Sequence, residues 1–334
     1  MLRDKYHFDD VKIPSSELLC HPSRITNTYE LGIERIIQDE DYIPGCDIQV
    51  CIEHHTTPPF IEQRNVGLRR KLTYFIATST HDKKINLGEK LIYDARHIDN
   101  RNMAHLIHGH FSMLGFLSAK YGYGKNDIII LLDRYPPKLA VEAFNVIGYE
   151  VIATDNVVSG NIISINGGDV FNFLPYVNSL DINFLTNALP EKIFISRKNT
   201  RKLENECEID SLLKNEGFEK FYFEDTPIIE QWSIMRNITD VVAIHGAALG
   251  CLAFNNPTNN FKLVELFGSG FVVNPFRKYM AMLLGKWIGC RGKITPEVVR
   301  DIDLLGMSKK HAFDDFELAP EVLELALSRI KLLA

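Results

Sequence analysis

The sequence predicts an α/β protein built of two doubly wound halves, and three observations carry that reading. Its 334 residues give room for two domains that each bury a core. Short β-branched apolar runs recur along the chain, separated by longer segments of helical period. From Glu191 onward strand and helix alternate regularly, and near-continuously apolar short strands between helices mark a parallel sheet covered on both faces.

The first 45 residues are polar, show no clear period and end on the turn signal Pro44-Gly45. Residues 47–52 (DIQVCI), 72–78 (LTYFIAT) and 90–95 (KLIYDA) read as strands, being short and bounded by turn-forming residues. Residues 100–122 read as one long helix that ends near Gly122. Strand 127–132, helix 136–148 and strand 149–154 make a unit whose helix starts at a proline pair and stops at Gly148. Residues 155–190, rich in Asn, Ser and Gly, read as the passage between domains.

Beyond that passage come strand 192–196, helix 203–217, strand 218–223 and helix 226–238. The last has Thr226 as expected N-cap and Pro227 at the first helical position. Strand 241–244, helix 248–254, strand 261–267 and helix 274–286 continue the alternation. The tail 320–334 is an amphipathic helix expected to pack back across both halves. The domain limits that follow are 1–160, 185–300 and a C-terminal helical segment 308–334.

The apolar share of 46% and the charged share of 24% are those of an ordinary globular chain. Net charge is −6, so no overall field draws nucleic acid, and a polyanion needs a local basic pocket. Six cysteines without a CxxC pair, several inside apolar runs, read as free thiols in a reducing compartment. No apolar run reaches the roughly 20 residues of a spanning helix, and residues 1–10 lack the core of a signal peptide. A cytoplasmic location is expected, with peripheral membrane association if an acceptor is lipid-linked.

Three constellations carry chemistry. His245-Gly246-Ala247-Ala248 lies at the seam between a strand and a helix, where a doubly wound sheet binds its ligands. Small residues there bare the backbone N–H groups of Gly246 to Leu249, which suit a phosphate, and His245 adds a donor. The alternative is a plain strand–helix turn with a space-filling histidine. Arg197 and Arg201 follow another strand end, and two guanidinium forks suit a diphosphate. Otherwise they are two solvated arginines at a helix start. Glu265, set among apolar residues of a strand, would accept from a ribose, cap a helix or pair with an arginine.

The ordered motifs ISR-x3-R (195–201), ENE (204–206), EGF (216–218), IIEQ (228–231), IHGAALG (244–250) and LVELF (263–267) resemble the signature of family 61 glycosyltransferases. The resemblance spans 191–267, and it extends to NMAHLIHG (102–109). There Asn102 and His105 match, while Leu106 and Gly109 stand where the family has an aromatic residue and an acid. It implies a GT-B architecture, two Rossmann-like domains facing a central cleft, with an acceptor-side N-terminal domain and a nucleotide-sugar-binding C-terminal one. It also implies an inverting, metal-independent transfer from a nucleotide sugar, expected to be UDP-linked, to a hydroxyl of a glycan or glycoconjugate, with no further cofactor. Arg197, His245 and the Gly246-Ala247 turn would then hold the diphosphate, with Gln231 in support.

His105, His108 and Ser112 share one stripe of the long helix by i, i+3, i+7 spacing, either as a structural stripe or as a site. Given the resemblance, His105 is the expected catalytic base, His108 the second choice and Asp94 the third. Histidine suits that task because its ordinary pKa is about 6.5. Neither "EHH" (53–55) nor the histidines of 97–110 have a zinc spacing, so no metal is expected. GYGKND (122–127) lacks the full P-loop spacing. Two other readings stay open: a sugar-nucleotide enzyme of this fold with another reaction, such as an epimerase, and a non-catalytic binding module that has lost turnover.

Overall fold

The computed structural model describes residues 1–22, 32–57, 84–96, 101–186, 189–256, 260–303 and 307–333. The expected strand 72–78 lies outside them. In chain order the first strands are Leu2–Phe8 (β1), Val11–Ile13 (β2), Ser16–Cys20 (β3), Glu34–Gln38 (β4), Asp41–Ile43 (β5), Cys46–Thr56 (β6) and Ile85–Asp94 (β7). Then follow Ile128–Leu132 (β8), Glu150–Ala153 (β9), Val158–Asn166 (β10), Lys192–Ser196 (β11) and Glu219–Tyr222 (β12). Asp240–Ile244 (β13), Lys262–Phe267 (β14) and Lys286–Arg291 (β15) complete the series. Two units emerge: Met1–Asp9 with Gly45–Asn183, and Asp10–Pro44 with Phe184–Ala334.

The first unit holds a six-stranded sheet in the order β1-β6-β10-β7-β8-β9. It is mixed rather than all parallel, because β6 runs antiparallel to both β1 and β10. From β10 through β7 and β8 to β9 the strands are parallel. All five residues of β8, IIILL, are buried, as an apolar strand with neighbours on both sides requires. The long helix, α1, is a composite of α-helical Met103–Leu106, a π-helical turn Ile107–Phe111 and α-helical Ser112–Tyr121. It ends on Gly122 and the next helix, Lys138–Ile147 (α2), on Gly148, both left-handed at φ +73° and +96° as helix stops favour.

Two expectations are corrected here. Residues 155–190 are not merely a passage, since β10 is an interior strand and Val170–Ser179 forms a 3₁₀ helix opened by an Asp169–Asn172 capping box. The first 45 residues are not without period either: their described residues contain five strands. In β1 the period is hidden because only one residue in seven is buried.

The second unit carries a seven-stranded sheet, β12-β11-β13-β14-β15-β3-β4, parallel except for the final antiparallel pair. Strands β3 and β4 thus join the C-terminal sheet, and β15 was absent from the expected series. Its helices are Glu206–Asn215 (α3), Ile228–Asn237 (α4), Pro275–Met282 (α5), Pro296–Arg300 (α6) and Pro320–Leu332 (α7). Pro227, not Thr226, is the N-cap of α4, and the Thr226 hydroxyl donates instead to the Tyr222 carbonyl (3.0 Å). The expected helix 248–254 is a 3₁₀ helix, Ala247–Phe254. Helix α7 buries Val322, Leu323, Ala326, Leu327 and Ile330 in this unit's own core beside Phe194, Val242, Val264 and Ile288. All six cysteines are free, with Cys20, Cys251 and Cys290 buried and Cys207 exposed.

Candidate functional site

In the second unit, strands β11 and β13 end side by side at Ser196 and Ile244, so Arg197 and His245 leave the same carboxyl edge. Arg197 Nη1 and Arg201 Nη1 both donate to one acceptor, the His245 carbonyl, each at 3.1 Å. Arg201 Nε donates to the Ala312 carbonyl at 2.7 Å. Arg197 Nε is buried and makes no hydrogen bond; its nearest anion is Glu224 Oε1 at 3.9 Å. Two guanidiniums, ten N–H donors by their chemistry, therefore spend few of them on the protein. Burial and the neighbouring charge of Arg197 lower the pKa of Arg201. An anion placed between them would offset the repulsion of these like charges.

His245 is fixed by a buried carboxylate. Its Nδ1 lies 2.6 Å from Glu265 Oε1, and since a carboxylate can only accept, Nδ1 carries a proton. The other oxygen, Glu265 Oε2, takes the Trp287 Nε1–H at 2.7 Å. Glu265 is 0% exposed, and with its two oxygens engaged by His245 and Trp287 it orients the His245 ring. The imidazole stacks on Phe267 with Phe276 close by. Gly246 is tight against this group: a Cβ there would stand 2.1 Å from Arg197 Nη1. Ala247 and Ala248 are half-buried, whereas Leu249 is fully buried and its N–H is spent on the Gly246 carbonyl (3.1 Å). Gln231 acts in support, donating to the carbonyls of Phe223 and Thr226 at 2.8 and 2.7 Å.

The three expected catalytic residues belong to the first unit. Asn102 is the N-cap of α1, its Oδ1 accepting the Ala104 N–H at 2.9 Å, which accounts physically for an Asn three residues before His105. His105 and His108 are both half-buried with ring centroids 5.3 Å apart, so the stripe exists although His108 lies in the π turn. Ser112 is buried and its hydroxyl donates back to the His108 carbonyl (2.5 Å). Burial, then His105, depresses the His108 pKa to about 4, which keeps that ring neutral. Asp94 is engaged at both oxygens by Arg96, from Nε at 2.8 Å and Nη2 at 2.6 Å. Arg96, a buried residue that sequence reasoning missed, also binds the carbonyls of Thr154 and Asn156 and the Thr57 hydroxyl. Asp94 is thus held as a tie for that cation. Among the described residues no three His, Cys, Asp or Glu side chains group as a metal site, and no helix is long and apolar enough to cross a membrane.

A parallel α/β unit whose carboxyl edge gathers two under-neutralised guanidiniums and a carboxylate-held histidine defines a protein suited to an anionic ligand. A family model described as glycosyltransferase 61 matches residues 40–261, more than half of the chain, and the chain belongs to that family of glycosyltransferases. No curated protein sequence matches it. Two solved structures resemble it at a distance. One is the bacterial iron-containing dodecameric glycosyltransferase TibC from enterotoxigenic E. coli H10407, at 10% identity over 80% of this chain and 78% of that one, with a TM-score of 0.31. The other is the dodecameric iron-containing heptosyltransferase TibC in complex with ADP-D-beta-D-heptose, at 11% identity over 82% and 75%, with a TM-score of 0.30.

Proposed function

We propose that the protein transfers a sugar from a UDP-sugar to a hydroxyl of a glycan or glycoconjugate, with inversion and without a metal ion, on a GT-B framework. The observation that carries this reading is the pair Arg197 and Arg201 sharing a single carbonyl acceptor. Their remaining N–H groups, and the Nε2–H that His245 offers as an imidazolium, would bind the diphosphate and take up the negative charge that grows as it departs. Fixed donors of this kind supply the charge stabilisation that a divalent ion supplies elsewhere. In the reaction the acceptor oxygen bonds to the anomeric carbon as the bond from that carbon to the diphosphate oxygen breaks. The hydroxyl proton goes to a base, assigned to His105, and UDP leaves with the bonding pair.

His105→Ala tests the assignment. Turnover should fall by roughly 10²–10⁴ while UDP affinity stays near that of the parent, because the base acts only in the chemical step. Transfer at the parental rate removes His105 from the mechanism. Activity that vanishes with a chelator and returns with manganese contradicts the metal-independent reading.

A further inference from the structure

Arg201 is an oddity: a non-glycine residue at φ +59°, a conformation that persists only when its surroundings impose it. What imposes it is the segment 308–316. The Arg201 N–H donates to the Phe313 carbonyl (3.2 Å), its Nε donates to the Ala312 carbonyl, and the Phe313 ring lies 4.7 Å from its guanidinium. The contact continues as a short ladder, with Lys202 N–H on Asp315 Oδ1, Phe316 N–H on the Lys202 carbonyl and Glu204 N–H on the Phe316 carbonyl. At its other end the same segment is tied to the loop after β14, where the Ser308 N–H donates to the Gly270 carbonyl at 2.6 Å.

One side chain locks this strap. His311 Nδ1 lies 2.6 Å from Asp314 Oδ2, and Nε2 lies 2.9 Å from Asp301 Oδ2 at the end of α6. Two carboxylates accept from both ring nitrogens at once, and only the imidazolium offers two N–H donors. The other charges around it are Lys310, paired with Asp301 at 2.8 Å, and Glu297 of α6, paired with Arg300. Gly270, the neighbour from the loop after β14, brings no charge. The two carboxylate hydrogen bonds raise the His311 pKa above its ordinary value, so the clasp is intact below about 6.5 and opens as pH rises through the raised value.

We propose that the 308–316 strap is the positioning element for Arg201 and that the His311 imidazolium is its clasp, so that nucleotide affinity weakens as His311 loses its proton. This rests on the reading of Arg197 and Arg201 as a diphosphate site. The test titrates UDP at pH 7 and pH 9, where the terminal phosphate (pKa about 6) no longer changes charge. Affinity of the parent should fall at least about fivefold between them, the low end of ordinary coupling between linked sites. His311→Gln should be weak at both values with a flat ratio, and Asp301→Asn should move the midpoint to lower pH. Equal pH ratios in the parent and His311→Gln overturn the clasp. The protection factor of the Arg201 amide, read without nucleotide, separates the two ideas. A factor equal at both pH values overturns the clasp, whereas a factor that drops at pH 9 in a protein that never binds UDP overturns the diphosphate reading.

Discussion

Gly246 has an extended backbone, φ 168°, that any residue adopts, and still it has no room for a side chain. The Cβ of an alanine would displace the Arg197 guanidinium from 2.1 Å, not strain the turn. Gly246→Ala should therefore weaken UDP by about ten- to a hundredfold, the worth of a charge-assisted hydrogen bond of roughly 1.5–3 kcal/mol, while the protein still unfolds cooperatively. Calorimetric titration alongside thermal melting checks this; unchanged affinity contradicts the packing of Arg197 on Gly246. The sequence marked His245, Gly246, Arg197 and Arg201 correctly as neighbours of strand ends, since the apolar runs before them are plain. It did not reveal why Glu265 is there. Its partners His245 and Trp287 sit 20 and 22 residues away, and no spacing rule links them. Arg96 and His311 were likewise invisible, because each draws its meaning from partners on other elements.

At the scale of elements, α1 shows what pattern reading can and cannot reach. Its end at Gly122 and the His105–His108 stripe followed from the sequence, but its start at Met103, after the Asn102 cap, and the π turn Ile107–Phe111, a single turn inside an apolar run, did not. Gly115 lets this helix lie directly on the 3₁₀ helix Val170–Ser179, where a Cβ would meet the Tyr176 carbonyl oxygen at 2.0 Å. The π turn buries His110 completely, with Nδ1 3.2 Å from the Tyr93 hydroxyl and Nε2 without a hydrogen bond. Burial, then His108, pushes the His110 pKa down to about 3. The folded form keeps both rings neutral while the unfolded chain takes protons near 6.5, so this stability is full above that pH. It is lost as pH falls toward 4 and 3. Replacing His110 with leucine should flatten the fall of melting temperature between pH 6.5 and 4; an unaltered slope would assign the acid loss to other groups. Strand β10 escaped notice because Asn161, Ser159 and Gly160 dilute its apolar signal, although its neighbours β6 and β7 make it interior.

For the whole molecule, two α/β units were legible because each contains apolar strands in helical surroundings, and the second unit's strand–helix order was nearly complete. The interleaving was not. Residues 10–44 leave the first unit after β1 and add β3 and β4 to the second unit's sheet, a pairing between β3 and β15 that spans most of the chain. Long-range pairing of that kind leaves no local trace, and neither does the seat of α7 in the same core. The net charge of −6 sharpens the meaning of the basic edge: in an acidic protein, Arg197 and Arg201 form a local field rather than part of a general one. The most direct measurement of the central claim is a calorimetric titration of UDP into the parent protein and Arg197→Ala, both in chelator. The parent should bind without added metal and the variant about ten- to a hundredfold more weakly. Equal affinity in the two proteins, or binding by the parent only when a divalent ion is restored, would contradict a diphosphate site built on these arginines.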